Sequence, residues 1–303
     1  MPSLPDALVQ EAMGCMDAEM QDAEDWVEDI DAGDYSDPLA VSEYVADIHA
    51  FYRKAEAASL VSPSYMCLQS EINEKMRAIL VDWLVEVHLK FKLLPETLYL
   101  TANLIDRFLA VCTVTRKNLQ LVGVTAMLLA SKYEEIWAPE VKDFVYISDN
   151  AYTKDQILGM EKLMLNTLNF NLTLPTPYVF TARFLKAAMA DRKVTQLSWF
   201  LVELCLPDYA MLQFSPSHMA AAAVLAARRT CGITPAWTPT LHRHTHLSKH
   251  DLRMCVTLMV GLHEKSGNGS LTAVHKKYSH TKFDCVAKLH PAILPADDGC
   301  SRS

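Results

Sequence analysis

Two twelve-residue stretches, LVGVTAMLLASK at residues 121–132 and SHMAAAAVLAAR at residues 217–228, align without a gap. Each is apolar almost all the way round and places small residues on successive helical turns. Ala126 aligns with Ala222, Leu129 with Leu225, Ala130 with Ala226 and Lys132 with Arg228. Small side chains let neighbouring helices approach closely, so each stretch reads as a central helix around which its companions pack. The chain therefore reads as two repeats of one helical unit.

The flanking patterns agree. Apolar spacing, with Pro95 and Pro139 as first-turn prolines and Thr153-Lys-Asp-Gln156 as a capping box, predicts helices near 74–91, 95–112, 117–135, 139–147 and 153–168. The prolines of NLTLPTP (171–177) end that set. The pattern restarts near 177–190, 194–211, 216–229, 248–265 and 271–279. Upstream, DPLAVSEYVADIHAFYRKAE (37–56) carries Val41, Tyr44, Val45, Ile48, Phe51 and Tyr52 at helical spacing after an Asp-Pro start signal. The predicted organisation is a tail over 1–36, an N-terminal helix over 37–56 and a linker over 57–73. Five-helix repeats follow over 74–174 and 175–290, with a short tail over 291–303.

Composition supports an all-α fold. Half of the 303 residues are hydrophobic, enough for a large core, and only nine are glycine. No apolar run approaches the roughly 18 residues of a membrane span, and no basic-then-apolar start marks a signal peptide, so an intracellular chain is expected. The eight cysteines form no C-x-x-C pair and read as reduced thiols. Residues 1–40 hold twelve Asp/Glu and no Lys or Arg, leaving about +4 of the formal −8 for the remainder. Such an acidic stretch buries too little apolar surface to offset its ordering entropy, so a disordered tail is expected.

MRAILVDWLVEV (76–87) is the helix whose chemistry needs explaining. Met76, Leu80, Trp83 and Val87 form one face, and apolar residues cover much of the rest. Such a helix is central to a core or offers a face to a partner. Arg77 in a core requires a carboxylate partner, and Asp106 in the next antiparallel helix is the best placed. Catalytic patterns are weak. The one G-x-G, GNG at 267–269, sits between helices, and neither H-R-D-L-x-x-x-N nor D-F-G occurs. His242, His244, His246 and His250 lie in LHRHTHLSKH without tight metal-ligand spacing and read as solvated loop histidines. On spacing alone Lys132 and Glu161 face solvent.

Longer motifs change that reading. MRAILVDWLVEV, ETLYLTANLIDRFL (96–109), LQLVG (119–123), AMLLASKYEEIWAPEVKDFVYISD (126–149) and YTKDQILGMEKLMLNTLNFNL (152–172) together resemble the cyclin box of an A/B-type mitotic cyclin. LPTPYVFTARFLKA (174–187), LVELCLPDYAML (201–212) and HKKYSH (275–280) are similar to the second cyclin repeat, in a B-type pattern closest to plants and green algae. The resemblance covers about residues 37–290, with several long motifs in order.

It implies a non-catalytic subunit, without cofactor or metal, that forms a heterodimer with a cyclin-dependent kinase and activates it at the G2/M transition. By resemblance, Lys132 and Glu161 grip the kinase beside its C-helix. Leu129, Tyr133, Glu135, Ile136, Leu165, Phe170 and Leu172 surround that grip, and Tyr44, Ile48 and Phe51 touch the kinase from the N-terminal helix. Met76, Ile79, Leu80 and Trp83, with Glu86, Arg116 and Gln120, would form a patch docking R-x-L substrates and inhibitors, braced by an Arg77–Asp106 ion pair. The expected location is nucleus and cytoplasm. Residues 1–70 depart from the mitotic pattern, with no R-x-x-L or K-E-N signal and only Arg53 and Lys54 as basic residues; absence of L-x-C-x-E disfavours a D-type member. The rival reading is a cyclin-fold transcription-initiation factor. A nucleic-acid partner would want a basic face and commonly a zinc ribbon, and the folded part offers only about +4 and no ribbon, so neither nucleic acid nor membrane is expected as a partner.

Overall fold

The computed structural model describes residues 27–293, and every regular element among them is an α-helix or a short 3-10 turn. Of the predicted tails over 1–36 and 291–303, residues 1–26 and 294–303 lie outside the described residues. The first repeat comprises α2 (Glu74–Phe91), α3 (Pro95–Leu109), α4 (Leu119–Glu134), α5 (Val141–Ile147) and α6 (Lys154–Thr167). The second comprises α7 (Pro177–Ala187), α8 (Arg192–Cys205), α9 (Pro216–Thr230), α10 (Pro239–Thr245) and α11 (Lys249–Lys265). Helix α1 (Val45–Ala55) precedes them and α12 (Ala273–Tyr278) follows.

Each central helix is buried as its composition requires. In α4 every residue from Leu121 to Ser131 is buried, and the helix packs against α2, α3, α5 and α6. In α9 the run from Ala220 to Arg228 is buried, against α7, α8 and α11. Local signals start the helices. Asn73 Oδ1 accepts from the Met76 amide at α2, and Thr153 and Gln156 exchange hydrogen bonds at α6.

Besides shifts of up to three residues at other helix ends, three features differ from the sequence reading. The N-terminal helix begins at Val45, because residues before it turn and Val41 takes φ 52°, a left-handed conformation that a β-branched residue adopts only at a break. Helix α8 stops at Cys205 instead of continuing to 211, since Pro207 cannot donate to the ladder. Helix α10 lies in the segment read as a histidine loop, started by Pro239 and by the Thr238 hydroxyl, which accepts from Leu241 N. Its two turns are too short to set up a visible period. With α10 the second repeat has the same five helices as the first, and α12 is an addition that packs on α2 and α8.

Arg77 joins the repeats. Its Nε and Nη2 meet the two carboxylate oxygens of Asp106 at 2.5 and 2.7 Å, while Nη1 donates to the carbonyls of Leu206 and Pro207 at 3.0 and 3.1 Å. Those carbonyls follow the end of α8 and have lost their helical partners. Asp106 also accepts from the Tyr65 hydroxyl at 2.7 Å, and Met66 N donates to Tyr209 Oη, so the linker over 57–73 is drawn into the same junction. Burial opposes the charge of Arg77, yet the adjoining carboxylate overrides it and raises the guanidinium pKa. Burial, then Asp106, raises that of Tyr65.

Removing one partner of a buried ion pair strands the other. Arg77→Leu is therefore expected to cost about 3–5 kcal/mol in urea unfolding, and Arg77→Leu with Asp106→Asn less than the single change. A cost below about 1 kcal/mol for the single variant would show that the junction is not held this way.

Candidate functional site

The first candidate surface lies where α4 ends. Lys132 stands on its last turn, and Nζ reaches Glu161 Oε1 on α6 at 2.7 Å, with side chains 47% and 13% exposed. In the aligned position of the second repeat, Arg228 is buried and donates to the carbonyls of Ala188, Pro235 and Ala236 at 2.8–3.0 Å. One repeat turns this cation inward to hold loops. The other turns it outward.

Large apolar groups surround the Lys132–Glu161 pair. Ile136 is 88% and Trp137 91% exposed, on the segment that leaves α4. Phe170 is 66% exposed after α6. There Asn169 and Phe170 take φ 52° and 55°, and the Phe170 amide closes onto Leu165 O at 2.9 Å. A bulky aromatic in the left-handed region carries a conformational cost of about 1–3 kcal/mol, which suits a residue held at a surface for a use beyond packing. Tyr133 is half exposed, its hydroxyl 2.5 Å from Thr173 Oγ1, and Leu165 and Leu172 are partly buried against the core.

Two of the selected residues turn inward. Leu129 is buried. Glu135 Oε1 accepts from Leu94 N at 2.7 Å and Thr97 Oγ1 at 2.5 Å, so it caps the start of α3, where Leu94 has no side-chain acceptor of its own. Across the N-terminal helix, Tyr44 and Phe51 are exposed and Ile48 is half buried. Tyr52 on the other face packs on Phe180 with ring centroids 6.4 Å apart, and Arg53 Nη1 donates to His244 O at 2.8 Å, so α1 lies on the second repeat.

The second candidate surface is the outer face of α2. Ile79 and Glu86 are exposed, Met76 and Trp83 half buried, with Arg116 exposed and Gln120 half buried on the turn into α4. Leu80 is the floor, only 6% exposed. It fits because Gly123 leaves room: a Cβ there would stand 2.6 Å from Leu80 Cδ1 and 3.2 Å from Cγ. Asp82, one turn before Glu86 on the flank of that face, accepts from Ala273 N at 3.0 Å, and burial raises its pKa. The charges of the helix thus divide: Arg77 and Asp82 hold the second repeat, and Glu86 faces solvent.

Among the described residues no group of three or more His, Cys, Asp or Glu is placed to hold a metal, and no helix is long and apolar enough to cross a membrane. His242, His246 and His250 are exposed; His244 is half buried. Burial holds His244 and His49 down to about 4, with Arg183 adding its repulsion, and burial does the same to His263. Trp137 has no signature in the sequence, because nothing in its spacing separates an exposed tryptophan from a packed one. The Gly123 contact left no signal in a single sequence either.

The chain matches the model of the cyclin N-terminal domain over residues 47–173 and that of the cyclin C-terminal domain over 175–292. It is 56% identical to the G2/mitotic-specific cyclin-1 of Medicago sativa subsp. varia over 87% of this chain and 62% of that protein. Identity is 54% to Cyclin-B2-1 of Oryza sativa subsp. japonica, over 92% of this chain and 66% of that protein. It is 53% to Cyclin-B2-4 of Arabidopsis thaliana, over 95% and 68%. The chain therefore spans 62–68% of the length of these relatives. Among solved structures, a viral cyclin from herpesvirus saimiri superposes with TM-score 0.63 at 20% identity, over 71% of this chain and 97% of that one. A chain of the yeast RNA Pol II CTD kinase CTDK-1 complex superposes with TM-score 0.54 at 11% identity, over 82% and 84%.

Two outcomes follow from this geometry. Gly123→Ala must displace Leu80, and a cost of about 1–3 kcal/mol is expected in thermal or urea unfolding; pairing it with Leu80→Ala should relieve most of that clash. The three depressed histidines take up protons more readily when unfolded, so stability should be full above pH 6.5 and decline as pH falls toward their folded value of about 4. Urea midpoints between pH 7 and 5 check this, and a flat profile that His263→Gln leaves unchanged would contradict it.

Proposed function

The chain belongs to the cyclin family, and on that premise we propose that it binds a cyclin-dependent protein kinase as its regulatory subunit and activates it by holding the kinase C-helix inward. The observation that carries this reading is the Lys132–Glu161 pair, set at a domain edge among exposed Ile136, Trp137 and Phe170.

Activation in this proposal is a shift of populations. A kinase of this type needs its C-helix Glu beside the strand-3 Lys before ATP is oriented. A partner that binds only that arrangement favours it by its difference in affinity, and about 5.5 kcal/mol moves the balance from 1:99 to 99:1. The free chain is well prepared to supply it. With Lys132 half exposed, the pair contributes only about 0–1 kcal/mol, so Lys132 and Glu161 can exchange each other for kinase groups at little cost. Charge-assisted hydrogen bonds then contribute about 1.5–3 kcal/mol each. Covering Ile136, Trp137 and Phe170 adds roughly 1.5–3 kcal/mol per side chain. Tyr44 at the cap of α1 and Phe51 on it would extend the contact toward the lower kinase lobe.

In the same proposal, the α2 face recruits substrates. Ile79, Met76 and Trp83 over the Leu80 floor form an apolar recess for the leucine of an R-x-L peptide, and Glu86 offers a carboxylate to its basic residue. The proposed setting is the G2/M transition, in nucleus and cytoplasm, with protein partners and no nucleic acid.

Lys132→Ala with Glu161→Ala is expected to lower kinase activation about 100-fold or more while leaving the unfolding midpoint near that of the parent chain. Unchanged phosphorylation of a histone-type substrate by a kinase co-purified with this variant would overturn the proposed grip. Trp83→Ala should slow phosphorylation of R-x-L substrates and spare those without the motif; equal slowing of both would remove the recruitment role.

A further inference from the structure

Residues 27–36 lie as a turn-rich strap over a basic groove between α1, α7 and α10. Asp31 presents both carboxylate oxygens to Arg183, Nη1–Oδ1 at 2.6 Å and Nη2–Oδ2 at 2.7 Å, and Lys186 Nζ lies 2.5 Å from Oδ1. Lys186 also pairs with Asp34. We infer that this groove is a recognition site for a phosphorylated peptide segment, which Asp31 and Asp34 occupy as an internal stand-in.

Charge and geometry carry the inference. A fork-on guanidinium contact is the arrangement Arg makes with carboxylate and phosphate alike. Two carboxylates converge here on Arg183 and Lys186, and one phosphate monoester brings about the same charge, −1.5 to −2, with three acceptor oxygens on a single side chain. The groove also stays cationic with the strap in place. Arg53 and Arg243 line the cavity beside Asp31, and His49 and His244 in the same wall are held neutral at pH 7 by burial and by Arg183. Those flanking arginines offer contacts to acidic residues on either side of a phosphate.

The strap is held in a way that permits exchange. Besides the ion pairs, Glu28 N donates to Thr240 Oγ1 at 3.2 Å and Ile30 packs against the core, while most of its hydrogen bonds close turns within the strap itself. An intrachain occupant of this kind raises the apparent dissociation constant of a competitor to its intrinsic value divided by the fraction of time the strap is open.

The test uses the full chain and a fluorescein-labelled peptide of glycine, alanine and glutamate around one phosphothreonine, with its unphosphorylated twin, read by anisotropy. Asp31→Asn with Asp34→Asn is expected to bind the phosphopeptide roughly tenfold tighter than the parent chain, the factor for a strap closed about nine-tenths of the time. Adding Arg183→Ala should abolish that binding, and Lys186→Ala, at a more exposed position, should weaken it should the first variant fail to fold. Equal binding of the two peptides, no gain from the Asp substitutions, or binding that survives loss of Arg183 and Lys186 would each overturn the inference. So would inorganic phosphate binding as tightly as the peptide, since the site would then take a small anion only.

Discussion

The arrangement of the two repeats depends on one buried cation. Arg77 spends two donors on Asp106 within the first repeat and a third nitrogen on the carbonyls that follow α8 in the second. Positive charge at a helix C-terminus is favourable in itself, since the unpaired carbonyls there carry partial negative charge. A buried ion pair seldom adds much net stability compared with apolar packing of the same volume, because desolvation offsets its attraction. What Arg77 adds is direction: five fixed donors accept few arrangements of α2, α3 and the end of α8.

The same device recurs at other helix ends. Asp82 of α2 accepts from the first amide of α12, Glu135 at the end of α4 accepts at the start of α3, and Glu56 accepts from Ser217 N and Oγ at the start of α9. Negative groups thus sit at N-termini and a positive one at a C-terminus, each supplied from a distant element. Such caps stabilise a helix and set its place relative to the donor. A buried Lys277–Glu203 pair, joined by the Tyr278 hydroxyl, ties α12 to α8 in the same manner. A surface mounted on elements joined this way moves as a unit. The proposed kinase grip requires such rigidity, since it lets binding energy act on the partner's conformation instead of being spent on its own.

How far the sequence was readable follows from this construction. The two central helices were legible because burial on all sides demands small and apolar residues at every turn, and so was Arg77 with Asp106, because a charge inside such a helix has few remedies. The repeat alignment even paired Lys132 with Arg228. It could not say that one turns outward and the other in, since the carbonyls that capture Arg228 belong to loops whose path one sequence does not reveal. Glu135 was grouped with the surface residues around Lys132, and the structure sets its carboxylate at the start of α3. Cap motifs are read from local spacing, and a cap supplied from 41 residues away has none. Likewise residues 27–36 read as acidic tail, because composition records their low apolar content and is blind to Arg183 and Lys186 waiting on α7.

The two repeats therefore differ in use more than in fold. The second closes on itself: its aligned cation is buried, its loops are held by that cation, and the strap and α1 lie across α7 and α10. The first leaves its cation, its strained Phe170 and two nearly bare side chains, Ile136 and Trp137, in solvent. Solvent exposure of that much apolar surface is unfavourable for an isolated domain and becomes favourable once covered. A duplicated unit in which one copy supplies support and the other keeps large apolar groups outside separates the residues that hold the fold from those left exposed. Under the proposed function, changes at the face alter partner affinity while the junction around Arg77 keeps both repeats in register.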